Sequence, residues 1–458
     1  MPIGHNCSLN YSILAGHPMN GKTVYLPVMG EGGSEVIAAI FRRLGVEAHV
    51  TPPSSRRTIE LGGTVTQGDE CFPSKVVIGD LLRVIEEPEF DPARALIFLP
   101  TADGPCRFGQ YVPYLRKILA ESGYGAIGII SPTDSNSYGG LGSVANIFTR
   151  IAWRGVVASD AIHRLLLKTR PYETEAGAAD SAFADSLKDL CETIESSCDS
   201  MNCQLSSLVA SLERARDRFR AVPAKYDCTI PLIGVIGEIF CRLNTFSNED
   251  LVRKLESHGA EATLSHVAEW VSYTSVEQER QLKVAGQSFS LEMLGAKVRD
   301  HIRRNDEQAL LAPLAEDLRG YEEPDIEEIL QLAWPYLPAN GVAGEMVLSV
   351  GLVAYHAKHG ADGIIDISPF GCMNGTVSEA IYPKVSADFG GIPVRSFCFD
   401  GTHSDLDRDL SVYLELAGSY REKKPFLRTY PACFGMPTTR KPARDGYSSR
   451  PATFESPA

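Results

Sequence analysis

Three of the eleven cysteines lie in loops of a kind that holds metals. Cys71 lies in GDECFPSK, Cys106 in GPCRFGQY and Cys372 in PFGCMNG, so glycine or proline marks each loop. Each loop comes at the predicted end of a strand or the predicted start of a helix. A helix N-terminus lowers the pKa of a thiol and so favours the thiolate that binds metals. The three loops are therefore candidates for one shared ligand set.

Three thiolates at one sheet edge suit an iron–sulfur cluster that leaves one iron open. A structural zinc site usually has a fourth ligand and Cys-x-x-Cys pairs, and the sequence contains no such pair. The wide separation of the three cysteines also fits three buried loop thiols that bind nothing. The residues alone leave both interpretations open.

The remaining cysteines have less distinctive settings. Five are predicted to be ordinary packed or surface thiols: Cys191, Cys198, Cys203, Cys228 and Cys398. Of these, Cys228 and Cys398 border predicted strands and are expected in the core. Cys241 is ambiguous, because it lies in a loop that follows a strand. The odd number and irregular spacing argue against the disulfide framework of a secreted protein.

A second set of polar residues lies in the loop Gly237–Leu251 (GEIFCRLNTFSNEDL). Glu238, Arg242 and Asn244 stand near the carboxyl end of a predicted strand, where open α/β sheets bind ligands. One interpretation is that Glu238 and Arg242 pair with each other in solvent. The other is that these groups shape a pocket above the cysteines and are catalytic residues there.

The segment Gly16–Thr23 (GHPMNGKT) has the form of a phosphate-binding P-loop. A functional P-loop needs a strand before it and a helix N-terminus after it. Here Val24–Pro27 (VYLP) follows, with strand-forming residues and a proline that would break the first helical turns. We therefore predict that Lys22 binds no nucleotide.

The elements that position these residues alternate between short apolar strands and helices. The predicted strands are Thr23–Val28, Glu47–Thr51, Ala95–Leu99, Ala126–Ser131, Ile230–Ile236, Glu261–Ser265, Gly363–Ile367 and Val394–Phe399. Strands of this kind, separated by helices, form parallel sheets that are covered on both faces. The stretch Asn146–Arg220 has a helical pattern and no strand signal.

The predicted fold class is therefore α/β, with two parallel-sheet lobes and a helical insert between them. The first lobe spans residues 1–145 and carries the Cys71 and Cys106 loops. Residues 146–225 form the helical segment, and residues 226–425 form the second lobe with the Cys372 loop. Residues 426–458, rich in Pro, Arg, Thr and Ser, are expected to be an extended tail.

The composition is that of a globular protein, with 458 residues, 44% hydrophobic and 22% charged. The net charge of −14 argues against a general binder of nucleic acid or of anionic membranes. The longest apolar stretch, around Met346–Tyr355, is far shorter than the ~20 residues of a membrane span. The first 20 residues lack a secretion signal. We expect a cytoplasmic protein that binds neither nucleic acid nor membranes.

Seven motifs in order along the chain resemble the 2-hydroxyacyl-CoA dehydratase superfamily, in its activase-associated branch. They are ECFPSK, PTADGPCRFGQY, RPYE, GEIFCRLNTFSNEDLVRKLESHGAE, EWVSY, GEMVLSVG and PFGCMNG. The resemblance runs from Tyr25 to about Asp405 and so covers most of the chain. Together the motifs are far more specific than any one of them.

The resemblance implies flavodoxin-like lobes with an iron–sulfur cluster, expected to be [4Fe-4S], held between them by one cysteine per loop. Cys71, Cys106 and Cys372 become its ligands by this resemblance. In that superfamily a separate ATP-hydrolysing activator passes one low-potential electron to the dehydratase. A 2-hydroxyacyl-CoA thioester then becomes a ketyl radical and loses water. This chain has no recognisable sugar-kinase-type ATPase motif, so the activator would be a partner protein, and a dimer is also expected.

Three hypotheses for the function remain. The first is an iron–sulfur enzyme of the dehydratase type, acting on an acyl-CoA-like molecule with electrons from the activator. The second is a non-catalytic electron carrier within an activase complex, and the third is a scaffold whose cysteines only pack. A cavity lined by the three cysteines would favour the enzyme, an exposed cluster site the carrier, and scattered buried cysteines the scaffold.

Overall fold

The computed structural model describes most of the chain. The described residues are 17–101, 106–132, 139–196, 198–226, 229–337, 344–402, 404–426 and 428. The predicted tail 426–458 lies almost entirely outside these ranges, and so does Cys228. Within them, we find no helical segment with the length and hydrophobicity that a bilayer span requires.

Four parallel strands form the sheet of the first lobe. They are β1 (Thr23–Leu26), β2 (Glu47–Val50), β3 (Ala95–Phe98) and β4 (Gly128–Ile130). Their spatial order is β2-β1-β3-β4, and Thr23 lies opposite Glu47 on one side and Ala95 on the other. Each strand lies within an apolar run that predicts it, and all three parallel pairings follow from the alternation with helices.

Four helices accompany this sheet. They are α1 (Gly33–Arg43), α2 (Arg56–Val65), α3 (Phe72–Ile85) and α4 (Tyr111–Glu121). The sequence pattern does not predict α2, although the helix packs closely along α3. A Cβ atom on Gly79 of α3 would lie 2.0 Å from the carbonyl oxygen of Thr58, so only glycine permits this approach. The helix α3 begins directly after Cys71.

The predicted helical segment contains three long helices. They are α5 (Ala145–Thr169), α6 (Ala178–Glu195) and α7 (Met201–Ala221). Two later helices, α10 (Val267–Val284) and α11 (Leu291–Leu311), pack against α5. The fully buried Arg154 of α5 holds α11 through Asp306, with Nε 2.8 Å from Oδ2 and Nη2 2.8 Å from Oδ1. The insert and the second half of the chain therefore share one helical layer.

The second lobe repeats the topology of the first. Its strands are β5 (Leu232–Gly237), β6 (Glu261–Leu264), β7 (Gly363–Pro369) and β8 (Val394–Phe399), in the order β6-β5-β7-β8 and all parallel. The remaining helices are α8 (Ile239–Leu243), α9 (Leu251–Ser257), α12 (Ile326–Ala333), α13 (Glu345–Lys358), α14 (Met373–Asp388) and α15 (Leu406–Arg421). The molecule thus has two flavodoxin-like lobes with a helical insert between them.

From the first strand of each sheet the chain moves first to one side and then to the other. The gap between the first and third strands is therefore a topological switch point. Ligands bind outside the carboxyl ends of the strands at such points in open α/β sheets. Cys106 follows β3, and Cys372 follows β7, which is the equivalent strand of the second lobe. Apolar residues of both lobes belong to one continuous core, including Phe72 and Phe399. The two switch points therefore belong to lobes that pack directly against each other.

The apparent P-loop precedes a strand, as predicted. Thr23 begins β1 directly after Lys22, and the Lys22 ammonium donates a hydrogen bond to the carbonyl of Ala93 at 2.7 Å. No helix N-terminus follows the motif to bind phosphate. We expect Lys22→Ala to leave ATP binding by the isolated protein unchanged in isothermal titration. Tight ATP binding that disappears in this variant would contradict the prediction.

Candidate functional site

Each of the three predicted ligand cysteines occupies the position directly before a helix. Cys71 precedes α3, Cys372 precedes α14, and Cys106 precedes the 3-10 turn Arg107–Gln110. The unpaired N–H groups of a first turn point toward such a position. One of them is seen to bind, since the N–H of Gly375 lies 3.3 Å from the Cys372 sulfur. These positions favour negative charge on sulfur.

The three cysteine loops meet where the two lobes touch. The backbone N–H of Phe72 donates to the carbonyl of Phe370 across the lobes at 3.2 Å. Gly371, with φ +79°, turns the chain so closely that a Cβ would lie 3.6 Å from the Cα of Cys71 and 3.2 Å from Nη1 of Arg107. A side chain there would fill the space between the loops. Glycine therefore brings the segment before Cys372 against the segments that carry the other two thiols.

The charge of Cys106 interacts with those of the other two thiols. Burial raises the pKa of Cys106 to about 11, with further contributions from Glu345, Glu238 and the Cys71 sulfur. Burial raises the pKa of Cys372 to about 12, and the Cys106 sulfur adds to the effect. Burial also raises the pKa of Cys71. Its sulfur shares a hydrogen bond with the hydroxyl of Tyr111 at 2.9 Å, which partly opposes this rise. Ionising Cys106 together with either of the other thiols would therefore bring like charges into interaction, which disfavours the thiolate forms.

The donor set of the cleft is three thiols, and soft thiolates are the ligands that iron–sulfur clusters and zinc select. Within the described ranges, no three His, Cys, Asp or Glu side chains are arranged to bind a single ion.

Glu238 lies at the thiols and is held there by its own helix. It directly follows β5, and its carboxylate accepts hydrogen bonds from the N–H groups of Phe240 at 3.1 Å and Cys241 at 2.8 Å. Burial raises its pKa, and its negative charge acts on all three thiols. The predicted loop residue therefore faces the cleft with a fixed carboxylate.

Arg242 lies behind Glu238 and is buried, with 4% of its surface exposed. Its Nη1 donates to the carbonyl of Gly237, and its Nε has no hydrogen-bond partner among the described residues. Its positive charge lowers the pKa values of Glu238, Glu269 and Glu345, which burial otherwise raises. The two residues do not form the solvated pair that one interpretation of the loop expects.

Asn244 joins the two lobes. Its side-chain amide donates to Oγ of Ser54 at 3.1 Å, and its carbonyl oxygen accepts from the N–H of Ser247 at 2.9 Å. Only 3% of its surface is exposed. These contacts hold the loop after β5 against the first lobe, which gives Asn244 a positioning role.

The cleft has no assignment from similarity to known proteins. No family model and no curated protein matches this chain. The chemistry of the cleft follows from its own groups, which are three thiols, the Glu238 carboxylate and the charges behind it.

Two further residues of the cleft were not among the predicted site residues. Glu345 begins α13, and burial raises its pKa to about 8, with a further contribution from Glu238. Tyr111 contacts the Cys71 sulfur and is itself buried. A sequence signal exists for both, since Glu345 lies in the motif GEMVLSVG and Tyr111 ends PTADGPCRFGQY.

The other cysteines lie apart from this cleft or are turned away from it. Cys241 is fully buried, and its sulfur donates to the carbonyl of Ser247 at 3.7 Å. The prediction of a core position for Cys398 is wrong, because the residue is exposed on β8. Cys198 lies between α6 and α7 rather than within a helix, and Cys203 is exposed on α7.

Proposed function

We propose that this chain is an iron–sulfur protein of the 2-hydroxyacyl-CoA dehydratase type, acting on an acyl-CoA-like molecule. The observation that carries the proposal is the meeting of Cys71, Cys106 and Cys372 at the contact of two flavodoxin-like lobes. Each thiol precedes a helix or a 3-10 turn, and their charges interact. These three residues would hold a [4Fe-4S] cluster, and with only three protein ligands the cluster would keep one position open for substrate.

A bound cluster would supply one electron at low potential and a Lewis-acid iron for the substrate oxygen. The chain's own residues would do the rest. Glu238 and Glu345 place two carboxyl groups beside the thiols. With a pKa of about 8, Glu345 holds its proton at neutral pH and can give it to a departing hydroxyl group, which leaves as water. Arg242 compensates the negative charge that remains on these carboxyl groups.

The electron would come from an ATP-hydrolysing activator protein that docks as a separate partner. We place the protein in the cytoplasm, a reducing compartment in which cysteine thiols stay free for iron. A dimer of two similar subunits remains part of the proposal.

The second candidate is a non-catalytic electron carrier, and the exposure of Cys106 favours it. Cys106 is exposed, Cys372 is half-buried and Cys71 is 8% exposed. A cluster with one ligand at the surface can exchange electrons with a docked protein. The enzyme and the carrier differ in whether a thioester reaches the open iron.

Anaerobic isolation with iron and sulfide counting tests the cluster. We expect roughly four iron and four sulfide per chain and a broad visible absorption. A 2-hydroxyacyl-CoA thioester should then change the electron paramagnetic resonance spectrum of the reduced protein if the chain is the enzyme, and leave it unchanged if it is the carrier. Stoichiometric zinc, or no metal after reconstitution with iron and sulfide, would contradict both.

A further inference from the structure

The outer face of α11 carries large apolar side chains that are exposed to solvent. Four of them recur at intervals of three or four residues and therefore lie along one side of the helix. Two more extend this row at the end of α10 and in the connection before α11. The six residues, which we call the α11 stripe, are Val284, Phe289, Leu291, Leu294, Val298 and Ile302. Their exposed fractions range from 37% at Ile302 to 104% at Phe289.

The opposite face of α11 is already packed within the chain. Met293 and Ala296 are buried there, and the carboxylate of Asp306 is held by the guanidinium of Arg154 from α5. The hydroxyl of Ser290 accepts a hydrogen bond from the N–H of Met293 at 3.1 Å, which fixes where the helix begins. A helix that is apolar on opposite faces is typically covered on both. The α11 stripe therefore has the character of a contact surface.

Gly295 lies within the α11 stripe, on the helix surface between Leu291 and Val298. Glycine inside a helix costs about 1 kcal/mol relative to alanine. A Cβ atom at this position would meet only Nη1 of Arg299, at 3.4 Å, so no contact in the described part of the chain requires glycine. The missing side chain would let the backbone of a second helix approach α11 closely.

The exposed area of the α11 stripe is that of a protein interface. Six side chains of this size and exposure amount to roughly 600 Å², the upper end for the largest apolar patch on a monomer. A standard interface covers about 800 Å² on each partner, and the polar residues that flank the stripe supply the difference. The surface therefore matches a second protein chain.

The charges beside the α11 stripe are complementary to a second copy of the same helix. Glu292 and Arg299 are both exposed and lie on one flank, two helical turns apart. If two α11 helices cross antiparallel about a two-fold axis at the middle of the stripe, Glu292 of each copy lies beside Arg299 of the other. The same axis brings Leu294 of each copy to Val298 of the other. Lys297, on the opposite flank, can direct its ammonium group into solvent along its aliphatic stem.

We propose that the α11 stripe is the surface through which two copies of this chain form a symmetric dimer, with their α11 helices antiparallel. The inference rests on the dimer that is part of the proposed function and assigns a surface to it. It does not depend on a bound cluster, since the stripe and its flanking charges contain none of the three cysteines.

Sedimentation equilibrium of the full chain tests the proposal. We expect the wild type to be a dimer at about 10 µM, because interfaces of standard size bind with micromolar affinity or better. Leu294→Glu should weaken the dimer roughly 100-fold, since the dimer would bury a carboxylate and its symmetry copy near the axis. Leu416→Glu on α15 is the matched control, because Leu416 is 57% exposed and Leu294 is 60% exposed. This control should remain a dimer.

An exchange of charges tests the antiparallel orientation. Glu292→Arg and Arg299→Glu should each weaken the dimer about tenfold, because like charges would then face each other across the axis. The double variant restores opposite charges and should return to the affinity of the wild type. A double variant that stays as weak as the single variants would overturn the proposed pairing.

Two other results would also overturn the proposal: a wild type that is monomeric at this concentration, and a dimer that Leu294→Glu leaves intact. Binding of a monomeric wild type to phosphatidylglycerol vesicles would show that the α11 stripe meets a lipid surface instead. Iron is counted on the same anaerobic samples. A monomer with full iron would contradict the interface alone, whereas a dimer that binds no iron would contradict the cluster alone.

Discussion

Serine in place of Cys71, Cys106 or Cys372, one at a time, should bleach the visible absorption of the anaerobically isolated protein and release most of its iron. Each sulfur would bind a different iron atom, so each loss leaves one corner of the cluster without its thiolate. A serine hydroxyl is a poor replacement, because soft thiolates are the ligands that iron–sulfur clusters select. The expected loss is similar for all three, although Cys71 is buried and Cys106 is exposed. Iron content, sulfide content and the visible spectrum measure it.

Other cysteines of the chain provide matched controls. Cys198 is buried and Cys203 is exposed, so they match the exposure of Cys71 and Cys106. Cys241 is the most demanding control, because its charge interacts with that of Cys372 while its sulfur faces a backbone carbonyl. Serine at these controls, and at Cys191, should leave the iron content unchanged. Full iron in a variant of the first set, or iron loss in Cys203→Ser, would contradict the ligand assignment.

Much of the fold can be predicted from the sequence, because strands buried on both faces are runs of apolar residues. The bounds of β8, Val394–Phe399, are as predicted. In contrast, α2 cannot be predicted, since its Gly62-Gly63 pair is typical of a loop. In the folded chain a Cβ on Gly62 would lie 2.2 Å from the carbonyl oxygen of Lys75, so close packing against α3 requires the glycine. This requirement comes from tertiary packing, so the sequence around Gly62 has no local pattern that predicts the helix.

Some features of the site can also be predicted from the sequence, and others depend on tertiary packing. The meeting of the cysteine loops could be expected from a general rule, since the carboxyl edges of parallel strands form the clefts of α/β sheets. The burial of Arg242 could not, because a charged residue in a glycine-containing loop is usually solvated. The exposure of Cys398 depends on strand order: β8 is the edge strand, and its alternate residues face solvent. The residues next to Cys398 do not show that β8 is an edge strand, and the residues next to Arg242 do not show that its side chain is buried.

Arg242→Met should lower the free energy of unfolding by about 3 kcal/mol at pH 8, the lower end of the cost of stripping buried charges of their partner. Arg242 is 4% exposed, and its charge stabilises the ionised forms of Glu238, Glu269 and Glu345. Methionine keeps most of the side-chain volume and removes the charge. Glu238, Glu269 and Glu345 would then lose the attraction of this buried cation.

The loss should depend on pH in a direction that the pKa values fix. Burial raises the pKa of Glu269 to about 7 and that of Glu345 to about 8 in the folded chain, above the ~4.3 of an unfolded glutamate. The folded state therefore binds more protons, so stability is highest below the unfolded value and falls as pH rises through the folded values. Arg242 opposes that fall. The stability difference between wild type and Arg242→Met should thus be small at pH 5 and large at pH 8.

Urea unfolding of both proteins at the two pH values measures this difference, with Arg57→Met as the control. Arg57 is a surface residue that pairs with Glu86, and side-chain exposures of 54% and 51% predict little effect of its loss at either pH. A difference for Arg242→Met that is equal at pH 5 and pH 8 would show that the side chain acts through packing alone. Because Glu238 and Glu345 act on the thiols, a pH-dependent difference would identify Arg242 as the residue that sets the charge of these two carboxyl groups.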